Sequence, residues 1–203
     1  LGATTTVPLI YDFWGFPDPL YDIEYRAPGA PDLAERIERL MSGYTDVARE
    51  EDRGLDHGTW VPLLHMYPAA DIPVLQLSLP WTNDPRRMFE LGRLLGPLRE
   101  DGVFILGSGN LVHNLRAADW SNGPTPDWAS EFDHWLSETL LEDRDDDLQE
   151  YRRNPLAGIC HPTHEHFVPL LVAAGAASEH DDVSFPIEDF ELGSLSMRSV
   201  QFG

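Results

Sequence analysis

Short apolar segments alternate with amphipathic helical segments along this chain, and the alternation constrains the fold more than any other feature. Residues 85–98 carry apolar side chains at helical spacing. They follow Asp84 and Pro85, residue types that suit an N-cap and a first helical position. Asp101-Gly102 ends this pattern, and the apolar run at residues 103–106 predicts a strand buried on both faces. Strands and helices that alternate in this way predict an α/β fold.

Other segments continue the alternation and complete the predicted domain. Further helices are predicted over residues 31–44, 128–141 and 163–175, and further strands over residues 72–79, 183–185 and 194–202. Thr163 is the predicted N-cap of the helix that ends at Gly175. We therefore expect one α/β domain over residues 1–203, with a central mixed sheet covered by helices.

Composition excludes several classes of partner. The chain has 203 residues, of which 42% are hydrophobic, and no apolar run reaches the roughly 18 residues that a membrane span needs. Its net charge of -21 opposes binding to nucleic acid or anionic lipid. The first residues do not resemble a signal peptide, and the single cysteine, Cys160, fits a reducing compartment. We expect a cytoplasmic protein without a membrane or nucleic-acid partner.

Histidines carry the chemical information in this sequence. Three of them lie in the segment CHPTHEH at residues 160–166, and His113 follows the glycine-containing segment 107–109. Imidazole is a common ligand of transition metals and moves protons near neutral pH, so these residues favour an enzyme. Ligands of α/β sheets bind beyond the carboxyl ends of the strands. Because residues 107–109 follow the predicted strand at 103–106, His113 is expected at such an edge.

The glycine-containing segment leaves more than one interpretation open. Residues 107–109 could cradle a phosphate, but the lysine and spacing of a P-loop are missing. We favour a sharp backbone turn that presents His113 to a pocket, with a structural loop histidine as the alternative.

The later histidines cannot all serve one site. If Thr163 caps a helix, His164 and His166 project about 200° apart around the helix axis. His166 leads into the apolar stripe and is the better inward ligand. A zinc site that combines Cys160 with these histidines matches no compact structural zinc spacing. His57, in the segment DHGTW, is predicted to lie in a turn that exposes its imidazole.

Several motifs spread over the whole chain resemble, in order, one enzyme family. These motifs are DFWGFP at 12–17, LY at 20–21, YRAPG at 25–29, DHGTW at 56–60, MYP at 66–68, GSGNLVHNL at 107–115, PTHEHF at 162–167 and GSLSM at 193–197. The sequence is similar to the DODA-type branch of the class III, LigB-like extradiol ring-cleavage dioxygenases.

This resemblance implies a function and a set of roles. The family opens catechols such as 3,4-dihydroxyphenylalanine with molecular oxygen at a non-haem ferrous ion, and some bacterial members hold zinc. By motif, His113 resembles the active-site acid or base that is sometimes counted as a metal ligand. His166 resembles a metal ligand, and His57 resembles a histidine of the substrate pocket. His161 and His164 match no family position with a known role.

The sequence also departs from the family pattern. The family's first two metal histidines come from an amino-terminal part, in loops of the His-Gly-Ser-Pro and Ser-Ala-His-Trp types, and neither motif occurs here. We therefore expect a catalytic-type domain truncated at its amino terminus, which alone binds metal poorly and can be inactive. The alternatives are a catalytically incomplete binding or assembly protein of the same fold and a zinc hydrolase. A homo-oligomer fits each of these hypotheses.

Overall fold

The structure is a computed structural model that describes residues 1–2, 7–80 and 84–203. It divides into two compact units, residues 1–80 and residues 81–203, which are described in turn. Both units combine helices with short strands or bridges, in agreement with the predicted α/β class. The prediction of a single domain stays a prediction.

The first unit contains two helices and isolated parallel bridges. The predicted helix at 31–44 is confirmed, although it ends three residues early, where Ser42 leaves the helical conformation. The predicted strand at 72–79 is wrong, because within it only Val74 forms a bridge, to Gly29. The helices are α1 (Pro31–Met41) and α2 (His57–Met66), and Asp18–Tyr21 forms a 3-10 turn.

An aromatic and aliphatic core stabilises the first unit. Its buried members are Val7, Tyr25, Ala27, Leu55, Trp60 and Leu63. The Trp60 indole donates a hydrogen bond to the Ile10 carbonyl, at 3.2 Å. This bond ties α2 to the segment that precedes Asp12.

The second unit contains five helices and two small antiparallel sheets in its described part. Asp84 accepts a hydrogen bond from the backbone N–H of Arg86, as its predicted capping role requires. The predicted helix at 128–141 is also confirmed and begins one residue earlier. The elements are α3 (Pro85–Leu95), α4 (Asp127–Leu141), α5 (Asp145–Gln149), α6 (Ala157–Cys160), α7 (Val168–Gly175), β1 (Val183–Ser184), β2 (Phe190–Glu191), β3 (Leu195–Ser196) and β4 (Gln201–Phe202), with 3-10 turns at Gly96–Leu98 and Tyr151–Arg153.

Helices α3 and α7 pack closely because glycines lie at their contact. A Cβ on Gly92 would stand 2.1 Å from the Val172 carbonyl oxygen, and a Cβ on Gly175 would stand 2.1 Å from that of Phe89. Both distances are shorter than any real Cβ contact, so only glycine permits this approach. The apolar helix α7 is thereby buried along most of its length.

The strands of the second unit form two separate two-stranded ladders. β1 pairs with β4 and β2 pairs with β3, both antiparallel. The predicted strand at 103–106 is wrong, because these residues join no ladder among the described residues and Phe104 and Leu106 are 60% and 39% exposed. Where the sequence predicted a central sheet, the described residues form these two ladders and the parallel bridges of the first unit. None of the helices in the described part of the chain has the length and apolar character that a bilayer crossing requires.

Candidate active site

His166 lies in a turn immediately before the buried helix α7. The backbone N–H groups of Phe167 and Val168 both donate to the His164 carbonyl, and the helix begins at Val168. The prediction that Thr163 caps this helix is wrong, because its hydroxyl donates to the Glu165 carboxylate at 2.6 Å. His164 and His166 therefore belong to the turn and not to a first helical turn.

Gly109 lets the loop that carries His113 approach this turn. A Cβ on Gly109 would stand 2.2 Å from the His166 carbonyl oxygen, and one on Gly107 would stand 2.6 Å from that of Pro169. The backbone bends at residues 111–112, just before His113, but neither glycine has a positive φ, so this bend does not need their conformational freedom. These glycines instead provide the space for close backbone contact.

Four hydrogen bonds, which we call the clasp, join residues 110–114 to residues 159–166. Two are made by backbone N–H groups: Asn110 donates to the His166 carbonyl at 2.9 Å, and His113 donates to the Cys160 carbonyl at 3.0 Å. The other two are made by side chains. Asn114 Nδ2 donates to the Ile159 carbonyl at 2.7 Å, and His161 Nε2 donates to the Leu111 carbonyl at 2.8 Å.

Strand β3 contacts the same loop through Ser196. Asn110 Nδ2 donates to the Ser196 carbonyl at 3.0 Å, and the Ser196 N–H donates to the Val112 carbonyl at 3.2 Å. The Ser196 hydroxyl donates to the buried Asp133 of α4, which also accepts hydrogen bonds from Arg198. The loop is thus held by two separate parts of the second unit.

The clasp brings the rings of His113 and His166 into contact. Their centroids are 3.7 Å apart and their planes differ by 11°, so the two imidazoles are stacked. Burial lowers the pKa of His113, and the charge of His166 lowers it further. The Glu165 carboxylate lies 3.7 Å from His166 Nδ1. Two imidazoles that are far apart in the sequence therefore lie against each other at one polar site.

The donor set at this position suits a divalent transition metal in its chemistry. Imidazole nitrogen binds iron and zinc well, and such sites usually use about three protein ligands. No group of three or more His, Cys, Asp or Glu side chains suited to a metal occurs among the residues that the structure describes. The pair of histidines can thus supply part of a ligand set.

His57 lies in the first unit and is held by one carboxylate. It is the first residue of α2, so the turn predicted for it is the start of a helix. Asp12 Oδ1 lies 2.6 Å from His57 Nδ1 and accepts the His57 backbone N–H at 3.1 Å. Burial raises the pKa of Asp12, but the hydrogen bonds from His57 outweigh it and the net pKa is lowered. The imidazole is 53% exposed, as the sequence predicts.

Comparison with known proteins identifies the family of this chain. The model of the catalytic LigB subunit of aromatic ring-opening dioxygenase matches residues 1–201. The chain belongs to the LigB family of aromatic ring-opening dioxygenases. It is similar to a 4,5-DOPA dioxygenase extradiol of Escherichia coli (strain K12), with 40% identity over 99% of this chain and 76% of the relative. A 4,5-DOPA dioxygenase extradiol of Beta vulgaris is 43% identical over 95% of this chain and 73% of the relative.

The fold comparison agrees with this assignment. A crystal structure of an uncharacterized protein from Escherichia coli K12 matches with a TM-score of 0.85 and 36% identity, over all of this chain and 80% of that one. The α/β, LigB-like fold and the enzyme class predicted from the sequence, an extradiol ring-opening dioxygenase, are confirmed. LigB dioxygenases are non-haem metal enzymes, which agrees with the imidazole donor set at His113 and His166.

Sequence reasoning missed the residues that hold the histidines in place. Asp12 follows no recognisable spacing with His57, because 45 residues separate them. Asn110 and Asn114 lie on either side of His113 in the sequence. Amide side chains around a loop histidine were the available sign that this loop is held by hydrogen bonds. His161 also belongs to the clasp, whereas the sequence assigned it no role.

Proposed function

We propose that this LigB-family protein is an extradiol ring-cleavage dioxygenase that opens a catechol, such as 3,4-dihydroxyphenylalanine, with molecular oxygen. The proposed cofactor is a non-haem metal ion, iron(II) or zinc(II). The observation that carries the proposal is the stack of His113 on His166 at the clasp. The names of the relatives from Escherichia coli and Beta vulgaris support the substrate class.

The geometry of the stack supports a division of roles between the two histidines. An imidazole nitrogen presents its lone pair in the plane of the ring. Two nearly parallel rings with centroids 3.7 Å apart cannot both have one ion in their planes. We therefore assign the metal to one ring only and follow the family resemblance in the choice, with His166 as the metal ligand and His113 as the catalytic acid or base. A ligand role for His113, which the family resemblance also allowed, would require the stack to open.

A metal ion at this position would bind the diol oxygens and activate oxygen. His113 contributes a ring nitrogen that removes the proton from a catechol hydroxyl and later returns it. The clasp supplies the positioning, because it fixes the backbone on both sides of His113. Proximity of this kind matters, since small displacements of a catalytic group slow the reaction strongly.

His57 is proposed to bind substrate. Because an ionised carboxylate only accepts hydrogen bonds, Asp12 requires the proton on His57 Nδ1. The Nε2 atom is then left with a lone pair that can accept a catechol hydroxyl. The edge-on contact of His57 with the Phe13 ring, at 6.0 Å between centroids, restricts the imidazole further.

Oxygen consumption by the full-length protein with 3,4-dihydroxyphenylalanine tests the function. His113→Ala is expected to lower turnover on the order of a hundredfold or more while bound metal is kept, since it removes acid–base catalysis. His166→Ala is expected to lower both turnover and bound metal. His134→Ala is the matched control, because this histidine is exposed on α4 and contacts Glu138.

Two results would replace the proposal with an alternative. Substrate hydrolysis without oxygen uptake would indicate a zinc hydrolase. Stable catechol binding with neither reaction would indicate a binding or assembly protein. An unchanged turnover in His113→Ala would refute the role assigned to His113.

The setting of the enzyme follows from composition. We propose a cytoplasmic protein that acts on a small molecule. The single, buried Cys160 supports a reducing compartment. The net charge of -21 argues against nucleic acid as a partner.

A further inference from the structure

His161 is the one buried histidine of this protein. Of the eight histidines in the sequence, all of which the structure describes, only His161 has a buried side chain, with 7% exposure. Its ring lies among three aromatic rings, with centroids 5.0 Å from Phe167, 5.9 Å from Phe132 and 6.4 Å from Tyr151. An apolar side chain would suit this environment better unless the imidazole performs a specific task.

The ring has one satisfied and one unsatisfied nitrogen. A backbone carbonyl only accepts hydrogen bonds, so the contact of 2.8 Å with the Leu111 oxygen places the proton on Nε2. Nδ1 is buried and has no hydrogen-bond partner within the described ranges. Such an orphaned atom destabilises a folded protein, so the bond to Leu111 has to outweigh this cost.

The acceptor of this bond lies next to the proposed catalytic group. Leu111 precedes His113 by two residues, and the intervening Val112 is completely buried. The bond from His161 lies within the clasp, beside the backbone bond from His113 to Cys160. A shift of the Leu111 carbonyl would therefore move the backbone that carries the His113 ring.

We propose that His161 is a positioning residue for the ring-opening reaction: its Nε2–H holds the Leu111 carbonyl and thereby keeps the His113 imidazole against His166. This inference rests on the proposed function for its effect on turnover, while its effect on the His113 ring can be measured without activity. His161 neither binds metal nor transfers a proton in the reaction.

Two observations support a positioning role over a chemical one. Nε2 is occupied by the Leu111 carbonyl, and the surrounding rings enclose the imidazole. Burial also lowers the pKa of His161 to about 4, so the ring is neutral at neutral pH. A neutral ring that is closed off from the solvent can donate a fixed hydrogen bond but cannot exchange protons with substrate.

The test compares variants that keep or lose the donor in the full-length, zinc-loaded protein and in the iron-loaded enzyme. His161→Gln can place its amide N–H near the position of Nε2, whereas His161→Phe keeps an aromatic ring without a donor. His161→Met is a second variant without a donor, in case the phenylalanine variant does not fold. Bound metal and the midpoint of thermal unfolding are measured for each variant.

The expected results separate positioning from general stability. His161→Phe and His161→Met should lower kcat about tenfold or more with little change in KM, and His161→Gln should recover kcat to within about threefold. The shape of the pH profile of kcat should be the same in all variants. In the zinc-loaded protein, NMR resonances of the His113 ring should move in the variants without a donor and return in His161→Gln.

Several outcomes would overturn the inference. One is a wild-type kcat with unmoved His113 resonances in a folded variant without a donor. Another is the loss of one limb of the pH profile, which would make His161 a proton-transfer group. If the wild-type protein consumes no oxygen with any catechol, the proposed function fails, but the NMR comparison still tests whether His161 positions His113.

Discussion

The regions around His113 and around His57 hold their histidines in different ways. The clasp joins two chain segments through four hydrogen bonds, two of them from the backbone, and it depends on glycines that admit close contact. His57 is exposed at the start of a helix and is oriented by one carboxylate, that of Asp12. We therefore expect substitutions in the clasp to lower activity strongly, whereas substitutions that disturb the single contact of His57 should change only the orientation of one ring.

The largest effect is expected from Gly109→Ala, which tests the tightness of the clasp. The added Cβ would meet the His166 carbonyl oxygen at 2.2 Å, so the loop that carries His113 has to move away. We expect turnover to fall on the order of a hundredfold and the free energy of unfolding to fall by about 2 kcal/mol or more. Oxygen uptake and urea unfolding measure these two quantities.

Gly158→Ala is the matched control for that substitution. Nothing lies within 4 Å of a Cβ at Gly158, which is in the short helix α6 beside the clasp. Its stability should stay the same or increase by about 0.5–1 kcal/mol, because alanine favours helices. Wild-type turnover in Gly109→Ala would show that the clasp is looser than the structure indicates.

A smaller effect is expected from acid, and it tests the buried part of the clasp. The pKa of His161 is about 4 in the folded protein, below the ordinary value of 6.5. As the pH falls from 6.5 towards 4, the unfolded chain therefore binds a proton that the folded chain does not. The free energy of unfolding should decrease over this window by up to about 3 kcal/mol.

Urea unfolding at pH 7 and at pH 4.5 measures this dependence. In His161→Gln the side chain does not titrate, so the part of the decrease that comes from His161 should disappear. Equal pH dependence in the wild type and in His161→Gln would contradict the burial of a neutral imidazole at this position.

The smallest effect is expected from Asp12→Asn, which tests the single contact that orients His57. The amide removes the negative charge but keeps the shape, so His57 can adopt either neutral tautomer. Because this pair is largely exposed, we expect KM for the catechol to rise by no more than about fivefold, with little change in kcat. Asp18→Asn, an exposed carboxylate in the same segment, should change neither constant.

A hundredfold change of KM or kcat in Asp12→Asn would remove the distinction between the two regions. The Asp12 carboxylate would then be as important for the reaction as the clasp is, and His57 would be more than a substrate-binding residue. Steady-state kinetics of both variants, measured side by side, decide between these outcomes.

Local patterns predicted several elements of this fold correctly. Helices α1, α3 and α4 follow from apolar spacing and from caps such as Asp84, which act within a few residues. The strands expected at 72–79 and 103–106 are wrong, because an apolar run becomes a strand only where another segment pairs with it, and the run itself does not show that partner. Thr163 shows the same limit, since its hydroxyl binds Glu165 and not a helical N–H.

The sequence by itself determined the class of fold, the family and the identity of the histidines that carry the candidate chemistry. These features reside in motifs and periodicities that are read along the chain. Only the tertiary structure decided that His113 stacks on His166, that Gly109 serves close approach, and that His161 and Asp12 hold their neighbours. Hydrogen bonds and van der Waals contacts depend on distances in space, and residues separated by 45 to 57 positions acquire those distances only when the chain folds.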